Sequence, residues 1–209
     1  MKTAFIWDLD GTILDSYGLI VNSLHTIYSE RGVEISKEEI LYEVISESVS
    51  SFIRKMEAKF GVPFDDLKDR YSNITHKDLL TITAMEHSKE ILEYLNNKGI
   101  KNYVYTHRGV TSETILKHLG LYDYFSDMVT SLDNFKRKPN SEGLNYLINK
   151  YNLDKDNTYY VGDRSLDIEC ANNAHIKSMM FIPSGSPAKA TGKETYIIKD
   201  LLDIKDIIK

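Results

Sequence analysis

The chain has 209 residues, enough for one large domain or for a domain carrying a smaller inserted one, each with a full core. It is 42% hydrophobic and 27% charged, and no stretch approaches the ~18 to 20 consecutive apolar residues of a membrane span, which sets aside a membrane-spanning class. A net charge of −5 argues against a broad electrostatic footprint for nucleic acid. The single cysteine, Cys170, cannot form an internal disulfide, and the apolar run near the N-terminus is short and interrupted by Asp8 and Asp10. The expectation is a cytoplasmic monomer or homodimer with no nucleic-acid or membrane partner.

The first β-rich run covers residues 4–7. Helical spacing then fills residues 19–31, 36–45, 48–60 and 65–80 with no strand between them. From about residue 88 the pattern alternates. Ile91, Leu92 and Leu95 precede Gly99, a strand follows at 103–106, Ile115, Leu116 and Leu119 precede Gly120, and a strand follows at 128–131. Leu144, Leu147 and Ile148 then mark a helix before strands at 158–161, 178–182 and 196–198. Gly99 and Gly120 stand where helix C-caps belong, and 183–192 reads as an exposed loop. This order predicts an α/β fold, a three-layer Rossmann-like parallel sheet core built from residues 1–14 and 84–209, with an all-helical insertion at 15–83.

In an open parallel sheet, ligands bind at the carboxyl ends of the strands. The first strand is followed by Asp8-Leu9-Asp10-Gly11-Thr12 and the second by Thr106-His107-Arg108. Beyond the third lies Lys136-Arg137-Lys138-Pro139, and after the fourth Gly162-Asp163-Arg164-Ser165-Leu166-Asp167. Taken singly, a strand-end Asp is a helix cap or turn former, Thr106 a packed β-branched residue and Lys138 a solvated charge. Together they converge on one edge. Clustered carboxylates repel unless a cation is present, and an all-oxygen ligand set is what Mg2+ selects. Gly11 lets the backbone turn sharply toward a phosphate, so its amide and that of Thr12 are expected to donate to phosphoryl oxygens.

These four segments, in this order and strand context, resemble the motifs of the haloacid dehalogenase (HAD) superfamily, and the resemblance spans the whole chain. The helical insertion is similar to the C1-type cap of its phosphoglycolate phosphatase and β-phosphoglucomutase branch. The resemblance implies a phosphatase acting on a small phosphorylated metabolite of phosphoglycolate or sugar phosphate type, through an aspartyl-phosphate on Asp8. It implies Asp10 as general acid and base, Thr106 as a phosphoryl ligand and Lys138 as the neutralising cation. Mg2+ would be held by Asp8, Asp163, Asp167 and the carbonyl of Asp10. Asp10 favours phosphate over haloacid chemistry, since members that release halide usually lack this acid. Two alternatives stay open: a phosphomutase of β-phosphoglucomutase type, and a non-catalytic binding protein on the same fold.

His107 follows Thr106 where many relatives carry Asn, and its ring offers either a donor to the substrate or a structural hydrogen bond. Within the cap, the substrate loop is expected near residues 45–49. There Ser46, Glu47 and Ser48 suit a polyol, unless Arg54 or Lys55 turns inward to meet a second phosphate. Ser88 is expected to cap the helix before the second strand in place of the usual Pro-Gly, and Ala174-His175 replaces a usual Ala-Gly.

Overall fold

The fold is that of a computed structural model, which describes residues 3–208; the expected core ends at 1–2 and 209 lie outside the described residues. Strand β1 (Ala4–Trp7) is buried along its whole length, as a parallel strand covered on both faces must be. The chain then forms a two-residue strand β2 (Leu14–Asp15) and four helices, α1 (Tyr17–Ser29), α2 (Lys37–Ser46), α3 (Val49–Phe60) and α4 (Phe64–Lys77), before a second short strand β3 (Thr83–Ala84). Helix and strand alternate from there: α5 (Ser88–Asn97), β4 (Lys101–Tyr105), α6 (Thr111–His118), β5 (Phe125–Val129), α7 (Glu142–Tyr151), β6 (Thr158–Gly162), α8 (Ser165–Ala174) and β7 (Lys177–Phe181). Strand β8 (Tyr196–Ile198) and a terminal turn α9 (Ile204–Ile207) complete the chain.

Six strands form one sheet in the order β5-β4-β1-β6-β7-β8, all neighbours parallel, flanked by helices. This is the expected α/β architecture. Trp7 at the end of β1 lies opposite Val104 of β4 and Val161 of β6. The chain runs outward from β1 through β4 to β5 and then returns to the other side of β1 with β6. The strand order therefore reverses at β1, and in open parallel sheets such a reversal marks the ligand-binding end, here the carboxyl ends of β1, β4 and β6. Strand β5 lies at the sheet edge and begins earlier than its apolar run suggests. Ser126 and Asp127 interrupt the hydrophobic pattern where one side is open to solvent.

The described residues of Met1–Asp15 and Thr83–Lys209 form one compact unit, and Ser16–Ile82 another. Within the second, Leu24, Ile27, Ile40, Ile53, Met56 and Leu67 are buried as one core. Ser36 and Ser48 cap α2 and α3 by accepting the amides of Glu39 and Ser51 at 3.1 and 3.0 Å. Within the first unit, Gly99 and Gly120 take left-handed backbone just beyond α5 and α6. His175 adopts the same conformation after α8, so the turn is kept without the usual glycine.

One local expectation is corrected and one element is added. Ser88 does not cap α5: it is the helix's first residue, fully buried, and its hydroxyl donates to the carbonyl of Ile13 at 3.1 Å. The β2–β3 pair, Leu14 opposite Ala84 and Asp15 opposite Thr83, is too short to leave a period in the sequence. Among the described residues no helix is long and apolar enough to cross a membrane.

Candidate active site

Asp8 follows β1 directly, and its amide continues the ladder to Val161 at 2.9 Å. The chain then closes on itself. The amides of Thr12, Ile13 and Leu14 converge on the Leu9 carbonyl at 3.1, 3.0 and 2.8 Å, and Gly11, at φ 76°, donates to the Leu14 carbonyl at 2.9 Å. Closing so tight a turn requires a residue tolerant of positive φ and consumes the amides within it. In this structure the amides of Gly11 and Thr12 both serve the turn. The Thr12 side chain is buried and donates to Asp163 Oδ1 at 3.4 Å, so it steadies an acid.

Asp8, Asp163 and Asp167 are buried, with one carboxylate oxygen from each lying within 4.8 Å of the others. Lys138 reaches them from the segment after β5. Its fully buried Nζ sits 2.9 Å from Asp8 Oδ1 and 2.8 Å from Asp167 Oδ1, and 5.1 and 5.2 Å from the ring centroids of Tyr105 and Tyr160. The Tyr160 hydroxyl lies 3.0 Å from the Tyr105 carbonyl and 3.2 Å from Asp167 Oδ1, with both oxygens as acceptors. Asp167 also accepts the Arg164 amide at 3.2 Å through Oδ2, so one side chain opens α8 and anchors the lysine. Gly162 is what lets Asp167 come this near: a Cβ there would stand 2.4 Å from Asp167 Cβ.

Burial raises the Asp8 carboxyl above its ordinary value, with Lys138 opposing, Asp167 reinforcing and Arg164 opposing. Burial also works against a charged Lys138, but Asp167 and Asp8 outweigh it and hold the ammonium above its ordinary value. Arg164 Nη2 is 3.6 Å from Asp8 Oδ2. That Oδ2 atom is buried and has no hydrogen-bond partner among the described residues. An orphaned carboxylate oxygen beside two further buried acids is the donor set a small, hard divalent cation requires, and these residues fit Mg2+.

Asp10 turns elsewhere. Its carboxylate is held by Arg108, with Nε at 3.1 and 3.3 Å from the two oxygens and Nη2 paired to Oδ1. Any share it takes in a cation site is left to its backbone carbonyl. Thr106 ends the run after β4, buried, and its Oγ1 accepts the Arg108 amide at 3.1 Å, which leaves the hydroxyl proton for another acceptor. His107 is drawn into structure: the Lys138 amide donates to its Nε2 at 2.9 Å, and Arg137 Nη2 lies 3.1 Å from Nδ1. Burial, then Lys138, Arg137 and Arg164, pushes its pKa down to about 2, so the ring is neutral. In this structure the His107 ring supports the lysine segment.

Ser46 and Glu47 belong to the second unit and are exposed. Glu47 pairs with Lys55 at 2.8 Å and accepts from Ser51, while Arg54 stacks 4.3 Å over the ring of Phe64. The negative charge that favoured a polyol is therefore compensated inside its own unit. Sequence reasoning gave no role to Arg108, Tyr160 or Arg164. The sequence signal for Arg164 was its place between Asp163 and Asp167; Arg108 stands in a motif segment that holds no acid.

A Rossmann-like sheet with grouped acids and a buried lysine at its switch point defines an enzyme that works on an oxyanion. The chain belongs to the haloacid dehalogenase-like hydrolase family, whose model matches residues 5–181. It is 28% identical over 213 residues to the pyrophosphatase PpaX of Oceanobacillus iheyensis, covering 97% of this chain and 95% of that one. It is 26% identical over 196 residues to a phosphoglycolate phosphatase of Rhodobacter capsulatus, covering 87% and 84%. The crystal structure of a predicted phosphoglycolate phosphatase from Haemophilus somnus superposes with a TM-score of 0.86 at 21% identity, covering 100% and 98%.

Proposed function

We propose that this phosphatase hydrolyses a small phosphorylated metabolite, of phosphoglycolate, sugar phosphate or pyrophosphate type, with Mg2+ and through an aspartyl-phosphate on Asp8. The observation that carries the reading is the Asp8 carboxylate: Oδ1 is held by Lys138 while Oδ2 is buried without a hydrogen-bond partner. A carboxylate fixed at one oxygen and unsatisfied at the other is oriented for an incoming electrophile.

In the first step an Asp8 oxygen bonds to phosphorus as the bond to the leaving oxygen breaks, and Asp10 gives that oxygen a proton. Thr106 donates its hydroxyl proton to a phosphoryl oxygen, and Lys138 offsets the charge gathering on the phosphoryl group. Bound Mg2+, held by Asp8, Asp163, Asp167 and the Asp10 carbonyl, would supply charge neutralisation at the phosphoryl oxygens. In the second step Asp10 takes a proton from water as it attacks phosphorus, which releases phosphate and regenerates Asp8. The relatives named pyrophosphatase and phosphoglycolate phosphatase support this substrate range.

The test is phosphate release from a panel of metabolite phosphates with Mg2+, beside Asp8→Asn. Turnover that drops at least ~1000-fold in the variant is expected for loss of a nucleophile. Wild-type turnover no greater than that of Asp8→Asn on every compound would refute the reading.

A further inference from the structure

Resting on that phosphatase reading, we propose that Arg108 is a specificity-determining residue, selecting substrates whose leaving group carries its own carboxylate or phosphate. Arg108 joins three functional groups. Its amide donates to Thr106 Oγ1, its Nε and Nη2 hold both oxygens of Asp10, and its Nη1 donates to Thr111 Oγ1 at 3.3 Å. The guanidinium is 13% exposed and the Asp10 carboxylate 23%, so the pair is partly withdrawn from water. Arg108 therefore stands one hydrogen bond from the acid that must meet the leaving oxygen.

A fork that grips one carboxylate in two places presents the same geometry to a carboxylate or phosphate on the leaving group. Asp10 clamped by that fork is not free to turn toward a leaving oxygen. A neutral leaving group offers the guanidinium nothing in exchange, so the clamp opposes every turnover. An anionic one takes over the fork and releases Asp10 at the moment it is needed, an interaction gained on the way to the transition state. The wider charge balance agrees: Asp8, Asp10, Asp163 and Asp167 are set among Lys138, Arg108, Arg137 and Arg164, so the site is not net negative even before a cation enters.

The experiment compares kcat/KM for phosphoglycolate, inorganic pyrophosphate and the neutral 2-hydroxyethyl phosphate, with Mg2+, in wild type, Arg108→Met, Arg108→Gln and Arg108→Lys. The two anionic substrates are expected to slow in the Met and Gln variants, which lack the fork, while the neutral ester holds or gains rate because the clamp on Asp10 is gone. The readout is the ratio of charged to neutral substrate, expected to fall ~30-fold or more in Met and Gln and to recover in part in Lys. If the Met variant does not fold, Gln carries the comparison. Whichever anionic substrate shows the larger ratio change identifies the favoured anion as carboxylate or phosphate. A ratio unchanged within ~3-fold, or wild type preferring the neutral ester, overturns the proposal while leaving the phosphatase reading in place. No turnover above Asp8→Asn on any of the three removes both.

Discussion

Replacing Lys138 with Met isolates what the buried ammonium does for the fold. The two side chains are close in length, and Met lies between the Tyr105 and Tyr160 rings without opening a large cavity. The loss is almost purely one of charge. Asp8 and Asp167 keep their buried places but lose a partner that stands 2.9 and 2.8 Å away. Removing one member of a buried ion pair costs ~3–5 kcal/mol. At ~2–4 °C per kcal/mol for a chain of this size, the melting temperature should fall by roughly 6–20 °C at neutral pH. The sign with pH follows from linkage. Burial already raises the Asp8 carboxyl, and removing the opposing Lys138 raises it further, so the folded variant binds more protons than the unfolded chain. Stability then falls as pH rises above the unfolded carboxyl value of ~3.9, and the deficit relative to wild type should shrink as pH drops toward 4. Differential scanning fluorimetry in metal-free buffer across pH 4–8 measures both effects. A melting temperature within ~2 °C of wild type at pH 7, or a deficit that grows on acidification, would show that the ammonium does not carry these charges.

Two further outcomes follow from the same geometry. Gly162→Ala places a Cβ 2.4 Å from Asp167 Cβ and 2.5 Å from its Cγ, so the first turn of α8 must shift; a loss of ~1–3 kcal/mol in urea unfolding, with reduced turnover, is expected, and an unperturbed variant would contradict the packing. His107 has a pKa of about 2 in the fold against 6.5 in the open chain, so the unfolded state takes up a proton that the native state refuses, and stability falls by up to ~1.4 kcal/mol per pH unit below 6.5. His107→Gln should therefore lose less stability between pH 6.5 and 4.5 than wild type by ~2–3 kcal/mol, whereas parallel urea-midpoint curves would count against a buried neutral ring.

The sheet was legible because its strands are short apolar runs between amphipathic helices, and the placing of Asp8, Thr106, Lys138, Asp163 and Asp167 followed from reading what comes after each run. The partners of those residues were not legible. Arg108 and Asp10 are 98 residues apart, and their pairing depends on β1 lying beside β4 in one register. Tyr160 reads as an ordinary strand residue, and only the path of Lys138 past its ring gives its hydroxyl and π-face a task. That the Gly11 and Thr12 amides close the turn was not legible for a related reason: a glycine advertises a turn but not which way the turn's N–H groups point. Ser88 was read by its local habit as a cap, while the tertiary fold claimed it for Ile13.

The β2–β3 pair has a consequence for how such a chain can change. Asp15 and Thr83 lie opposite each other as ladder partners, so the core itself holds shut the two ends of the intervening segment. Closing a loop costs only ~0.6 kcal/mol more for each doubling of its length, and here the closure is already made by strand pairing. Residues 16–82 can thus lengthen, shorten or be exchanged with little penalty to the sheet that carries Asp8. In breeding terms this is a graft union: the rootstock keeps its chemistry while the scion is free to vary.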